Sequence, residues 1–290
     1  MLTRLEVRGF KNLLDTRAEF GPFTCIAGAN GIGKSNVFDA IEFLSYLASD
    51  PLVEASQRVR GSAGMRGGGV RDLFWDGYRD HERRIDLAVE MLVPAEVEDD
   101  LGAAGRLSDL AGVRVEDLTV ELNQVREVFT LVLRERGGPR LPARALSVGT
   151  LRFLALCVLL EDPGLTGLLC MEEPENGIHP ANLPSVMQLV RDLAVDPSDA
   201  PDETNPFRQV IVNTHAPGVV QLCDPSDLPL AELAPHRTAE GNSVRARTLL
   251  PFRDSWRTQS ASRSFSEADV LSYLTAPIGA QLQLPMVLAG

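Results

Sequence analysis

Gly28-Ala29-Asn30-Gly31-Ile32-Gly33-Lys34-Ser35 decides the fold. The octapeptide fits the phosphate-loop pattern G-x-x-x-x-G-K-[ST] at every fixed position. Its flanks fit as well. Phe23-Thr24-Cys25-Ile26-Ala27 is an apolar, β-prone run, and Asn36-Val37-Phe38-Asp39-Ala40-Ile41-Glu42-Phe43-Leu44 carries apolar residues at helical spacing. Strand, glycine loop and helix in that order bring backbone N–H groups around an anion. The positive end of the helix then faces the same charge. Lys34 is placed to reach the β- and γ-phosphates of a nucleotide, and Ser35 to bind its magnesium ion.

Bulk composition narrows the rest. The chain has 290 residues, of which 44% are hydrophobic and 23% charged, which suits a globular protein rather than a disordered one. No apolar run is long enough to span a bilayer, and Met1-Leu2-Thr3-Arg4-Leu5-Glu6 lacks the apolar core of a secretory leader. Cys25, Cys157, Cys170 and Cys223 are far apart in sequence, and the first three sit in apolar runs. Buried, reduced thiols in a cytoplasmic protein are the expectation, with no membrane partner. A net charge of −12 argues against a broad basic surface for nucleic acid. Two arginine clusters, 58–71 and 126–144, leave room for a local one.

The pattern of apolar residues places strands at 2–9 and 12–20, joined by a turn at Gly9–Lys11, and a helix after the phosphate loop to about residue 48. Periodicity is lost over 49–71, where Gly, Arg and Ser dominate. Strands are expected at 83–93, 117–123, 126–135, 167–172 and 209–213, with a turn at Gly137-Gly138-Pro139. Helices are expected at 149–161 and from about 181 to 195, and a surface loop at 196–207. Beyond 225 the signals weaken to two edge strands, 228–234 and 243–250, and a terminal helix at 266–274.

Three further segments carry chemistry. Leu168-Leu169-Cys170-Met171-Glu172-Glu173 is an apolar strand ending in two carboxylates. In phosphate-loop enzymes a strand beside the first brings an acid to the metal, and a second acid acts on water. Glu172 takes the metal position and Glu173 the water position, their roles separated by strand alternation. Ala145-Leu146-Ser147-Val148-Gly149-Thr150 reads as a Ser/Gly turn opening an apolar helix, with Ser147 as its cap. Val210-Ile211-Val212-Asn213-Thr214-His215 is a buried strand ending in a histidine able to hydrogen-bond a terminal phosphate.

In this order the motifs resemble the ABC-type ATPase heads of the SMC/RecF group. More narrowly, the chain is similar to small bacterial AAA-family ATPases related to RecF and to the ATPase part of OLD-family proteins. The resemblance covers residues 2 to about 220: the N-terminal Leu5-Glu6-Val7-Arg8-Gly9-Phe10-Lys11-Asn12, Walker A at 28–35, the signature at 146–150, Walker B with Pro174-Glu175-Asn176-Gly177-Ile178-His179-Pro180, and the switch His215. It implies an α/β fold of the P-loop NTPase, ABC-ATPase type. That fold has a mixed β-sheet core, an antiparallel N-terminal β-subdomain and flanking helices. A single domain over 1–290 is expected, divided into 1–48, an inserted 49–145, 146–224 and a C-terminal 225–290 with no motif.

The same resemblance assigns roles. ATP and Mg2+ are the implied cofactors. Asn30, Gly31, Gly33, Lys34, Ser35 and Asn36 would hold phosphate, and Lys11 and Asn12 would approach the nucleotide. Ser147 and Gly149 would touch the γ-phosphate held by a second copy. Ser35 and Glu172 would serve the metal, while Glu173, His215 and Lys34 would carry catalysis. ATP-dependent homodimerisation follows, with conformational output to an effector protein subunit in DNA repair or in defence against foreign DNA, and DNA contact that is indirect or local. A nucleotide-binding scaffold with little hydrolysis and an ATPase with fused nuclease activity are the alternatives. Three departures stand out. The metal acid is Glu172 rather than Asp, the signature reads Ser-Val-Gly-Thr rather than Ser-Gly-Gly, and neither Gln57 nor Gln124 fits the Q-loop position.

Overall fold

The computed structural model describes residues 1–29, 31–47, 50, 52–59, 70–75, 84–91, 115–123, 128–135, 139–142, 148–237, 243–260 and 263–275. In chain order the strands are β1 (Leu2–Phe10), β2 (Leu13–Glu19), β3 (Phe23–Ala27), β4 (Asp86–Met91), β5 (Val115–Asn123), β6 (Val128–Glu135), β7 (Arg140–Pro142), β8 (Gly167–Glu172), β9 (Arg208–Thr214), β10 (Leu230–Arg237) and β11 (Ser243–Leu250). The helices are α1 (Ser35–Leu47), α2 (Leu52–Arg58), α3 (Val148–Glu161), α4 (Leu183–Asp192), α5 (Pro217–Leu222) and α6 (Glu267–Thr275). The chain forms two units. One holds Met1–Val93, Cys170–Glu172 and Ile211–Gly290; the other holds Pro94–Leu169 and Glu173–Val210.

The first unit contains two sheets. β1 and β2 pair antiparallel from Arg4↔Glu19 to Phe10↔Leu13, and β4 joins the other edge of β1 to give the order β2-β1-β4. Leu5 and Val7 face the core while Arg8 faces solvent, the alternation of a half-buried sheet, and Phe10 at the strand end is buried as well. The second sheet has the order β11-β10-β3-β9-β8. β3 is buried along its whole length, as the apolar run predicts for a central strand.

That order corrects two sequence expectations. The acid-bearing strand β8 is not beside β3, because β9 lies between them. Its run of fully buried residues marks β9 as the interior strand, and no local pattern in β8 reveals what sits next to it. Nor are both C-terminal strands edges. β10 pairs parallel with β3 at Leu230↔Ala27, reinforced by Ala27 N–H donating to Pro229 O (2.9 Å), and leaves only β11 outside it. β10 and β11 are therefore built into the sheet that carries the phosphate loop. Arg257 fastens the chain after them. Its Nε donates to Glu19 O (3.0 Å) and its Nη2 to Thr24 Oγ1 (2.9 Å), with the guanidinium 4.3 Å from the Trp256 ring centre.

A helix, α2, occupies part of the stretch expected to lack periodicity. Ala55 and Ser56 are buried on one side while Leu52 and Val53 are exposed. Seven residues are too few for a helical period to show in sequence. The segment 70–75 docks on the β1–β2 turn, with Lys11 N–H donating to Leu73 O (2.8 Å) and Trp75 N–H to Gly9 O (2.9 Å). The expected turn at 137–139 falls mostly outside the described residues, as does most of the 58–71 arginine cluster.

In the second unit β5, β6 and β7 form an antiparallel sheet, with Asn123↔Val128 and Val132↔Pro142 in register. α4 buries Val186, Met187, Leu189 and Val190 along one stripe. α3 is stopped by Arg208, whose Nη1 and Nη2 donate to the carbonyls of Leu159 (2.7 Å) and Leu160 (3.3 Å). A cation on the last carbonyls of a helix satisfies orphan acceptors and opposes the dipole. The 196–207 stretch is a surface loop, knotted around Asn205 Nδ2, which donates to Asp196 O (3.0 Å). Cys25, Cys157 and Cys223 are buried as expected; Cys170 is exposed, because β8 is an outer strand. Among the described residues no helix is long and apolar enough to cross a membrane.

Candidate nucleotide site

The loop leaves β3 at Ala27 and enters α1 at Ser35. Gly31 and Gly33 have φ of 72° and 90°, the left-handed values that turn consecutive N–H groups toward one point. Asn36 N–H donates to Gly33 O (3.1 Å) and Val37 N–H to Lys34 O (3.0 Å), so the first helical turn is formed directly on the loop. Lys34 is 7% exposed, and its ammonium donates to Gly28 O (2.7 Å) and Ala29 O (3.0 Å). The cation thus rests on its own loop's carbonyls. Asn30 lies outside the described residues.

Gly33 is required by close approach. A β-carbon there would lie 2.2 Å from Asn12 Nδ2, 2.7 Å from Asn12 Oδ1 and 2.8 Å from Arg247 Cδ. Asn12 thus lies against the loop, and its Oδ1 is buried without a hydrogen-bond partner. Lys11 goes elsewhere. Its φ is 47°, and its ammonium donates to Asp39 Oδ2 (2.7 Å) in a pair whose side chains are 8% and 3% exposed. That pair ties the β1–β2 turn to α1.

Glu172 closes β8 and is exposed; His215 follows the last residue of β9 and is half-buried. Thr214 Oγ1 accepts from Ala216 N–H (2.9 Å), which fixes the turn on which His215 sits. Ser35 and Glu172 are hard oxygen donors of the kind magnesium takes, and few of them suffice because that ion retains waters. Among the described residues no group of three or more His, Cys, Asp or Glu converges.

Glu173 differs from its sequence reading in one respect. The strand ends at Glu172, and Glu173 has φ 46°, so a left-handed corner rather than pleat alternation separates the two carboxylates. The corner is held on both sides. Asn176 Nδ2 donates to Glu173 Oε2 (2.5 Å), and Arg152 Nη1, from α3, donates to Glu173 O (3.0 Å). Gly149 lies in the first turn of the same helix. A β-carbon on it would stand 2.3 Å from Gly177 O, so this position accommodates no side chain. His179 Nδ1 accepts from Ala181 N–H (3.2 Å) and caps the short helical turn Pro180–Asn182. Ser147 lies outside the described residues.

The sequence reading did not find Arg247, Arg152, or the bond from Asn176 to Glu173. The last was within reach, since an amide three residues after a strand-end carboxylate favours such a turn. Arg247 left no signal, because a single arginine in an alternating strand reads as a solvated side chain.

A family profile described as "AAA domain, putative AbiEii toxin, Type IV TA system" matches residues 23–84 and 46–221. Two curated proteins named DNA replication and repair protein RecF are similar to it. The one from Phocaeicola vulgatus is 38% identical over 61 residues, 21% of this chain and 16% of that protein. The one from Parabacteroides distasonis is 42% identical over 60 residues, 20% and 16% respectively. The match thus spans about a sixth of each relative's length. Among solved structures, the SMC head bound to the C-winged helix domain of ScpA superposes with a TM-score of 0.51. It is 15% identical and covers 86% of this chain and 98% of that one. An SMC head domain from Thermotoga maritima gives a TM-score of 0.44 at 16% identity, covering 87% and 99%. The fold is that of an SMC head, as the motifs implied.

Proposed function

The chain belongs to the AAA-domain family of the putative AbiEii toxins, and from that premise we propose that it binds and hydrolyses ATP as a switch that closes two copies together. The observation that carries this is the loop itself. Its left-handed glycines, the buried Lys34 and the directly attached α1 support reading it as an anion site with a cation beside it. ATP would replace the Gly28 and Ala29 carbonyls as the partner of Lys34. Ser35 and Glu172 would hold Mg2+, which supplies neutralising charge on the phosphate oxygens. Glu173 would accept a proton from water as the water oxygen bonds to the γ-phosphorus. The bond from that phosphorus to the β–γ bridging oxygen then breaks, releasing ADP. His215 would donate a hydrogen bond to the γ-phosphate.

Ser147 and the start of α3 in a second copy would complete the site, so ATP acts as the adhesive between two chains. Energy for the switch then comes from contacts made only in the closed state. Output to an effector protein is supported by the partner named for the SMC head of similar fold. A role in DNA repair or in defence is supported by the names of the relatives and of the family. The acidic chain favours reaching DNA through that effector.

The test is the solution mass of Glu173→Gln with and without Mg-ATP, with Lys34→Ala as control. A monomer that becomes a dimer only with Mg-ATP, and does not in Lys34→Ala, is expected. A mass unaffected by ATP would overturn the switch, and ordinary ATP affinity in Lys34→Ala would overturn the loop assignment.

A further inference from the structure

Three arginines of the described residues are buried enough for desolvation to lower their pKa: Arg208, Arg257 and Arg247. Asp162 offsets the cost for Arg208, and Asp227 and Glu19 offset it for Arg257, whose pKa is still pushed down to about 10. Among the described residues no carboxylate offsets it for Arg247. The exposed arginines with ion pairs, such as Arg8 with Asp15 and Arg263 with Glu232, show how readily this acidic chain supplies a partner elsewhere. A half-buried guanidinium with no counterion is costly, and the cost disappears when an anion arrives.

Its position says which anion. Arg247 Nε donates to Ile32 O (2.6 Å), inside the phosphate loop, and its Cδ lies against Gly33. The two Nη groups make no hydrogen bond among the described residues. On the same glycine sits the Asn12 side-chain amide, whose Nδ2 can donate to an anion. The backbone beneath Arg247 is fixed on two sides. Thr16 Oγ1 donates to Arg247 O (2.8 Å), and Arg247 pairs with Leu233 of β10, the strand that pairs with β3. The side chain is therefore aimed from a rigid hairpin, which is how a geometrically specific ligand group is built.

The geometry points to Arg247 as a phosphate-binding residue for the nucleoside triphosphate, supplied by the same chain from the C-terminal hairpin. Nε stays on Ile32 O while the Nη pair meets phosphate oxygens, a bidentate arrangement that a planar guanidinium suits and an ammonium does not. Residue 247 lies beyond the 221 at which the family match ends, so this contact is a feature of the C-terminal region of this chain. The proposal rests on the reading of the loop as an ATP site.

The experiment measures ATP and ADP affinity of the full chain, wild type and Arg247→Gln and Arg247→Lys variants, by fluorescent nucleotide titration, alongside unfolding without nucleotide. Expected is at least a tenfold loss of ATP affinity in Arg247→Gln, a smaller loss in Arg247→Lys, and melting temperatures close to wild type. In wild type, ATP should also slow modification of Arg247 by phenylglyoxal, a readout that does not depend on the variants folding. Wild-type affinity in Arg247→Gln, or modification unaffected by ATP, would overturn the proposal. So would equal loss in both variants with a matching fall in melting temperature, which would make Arg247 only a pin for the Ile32 carbonyl. If Lys34→Ala binds ATP like wild type, the loop reading fails first, and that is seen separately.

Discussion

The phosphate loop and the corner after β8 both bend the backbone into the left-handed region, and they do so with opposite residue types. The phosphate loop uses glycine, at φ 72° and 90°. The corner after β8 uses Glu173, at φ 46°. In the loop the bend costs little, because glycine visits that region freely, and the missing side chains bring backbone and Asn12 close. At Glu173 the bend costs about 1 kcal/mol or more, and the surroundings must hold it. Asn176 and Arg152 do so, one on the carboxylate and one on the carbonyl. The difference separates two tasks. A glycine corner exposes backbone to grip a ligand, whereas a strained carboxylate corner fixes one side chain in one direction.

Substitutions at the two corners break or sharpen this contrast. The largest effect should come from Glu173→Gln, which keeps ATP binding and lowers steady-state hydrolysis by roughly 10²–10⁴-fold, the range for a removed general base. Unchanged turnover would hand the water to another residue and leave the corner structural. Next is Gly149→Ala, whose new β-carbon would overlap the Gly177 carbonyl, four residues after Glu173. It should cost about 2–3 kcal/mol, read as a lowered midpoint in urea. Smallest, and most direct, is the reciprocal pair Gly31→Ala and Glu173→Gly. Nothing lies within 4 Å of the Gly31 position, so only its φ is at stake and a loss of about 1 kcal/mol is expected. Glu173→Gly should gain a similar amount of stability while abolishing hydrolysis. Equal losses at both positions would show that Glu173 carries no strain.

Much of the fold could be read from periodicity. β3 was expected at the residues where it is found, and α1, α3, β8, β10, β11 and α6 lie within a few residues of their expected places. Their neighbours could not be read in the same way. That β9 separates β3 from β8 is a matter of sheet order, and pattern along one strand says nothing about which strand lies beside it. The same limit applied at the site. Lys34, Ser35 and Gly33 are contiguous and announce themselves. Asn12 was placed near the nucleotide only through the family resemblance. Arg247 reaches the loop across 215 residues of sequence, and Lys11 is spent on Asp39, which no local pattern foretells.

The parallel pairing of β10 with β3 also sets an order of events during synthesis. Ala27 emerges from the ribosome well before the strand that flanks it, and the arginine that holds Ile32 follows that loop residue by 215 positions. Contacts this distant in sequence close late, after the entropy of a long loop has been overcome. The phosphate loop of a nascent chain therefore lacks one wall until residues beyond 230 are free. A nascent chain that has not yet exposed residues beyond 230 would carry the whole octapeptide of the loop and still lack the strand and the arginine that brace it.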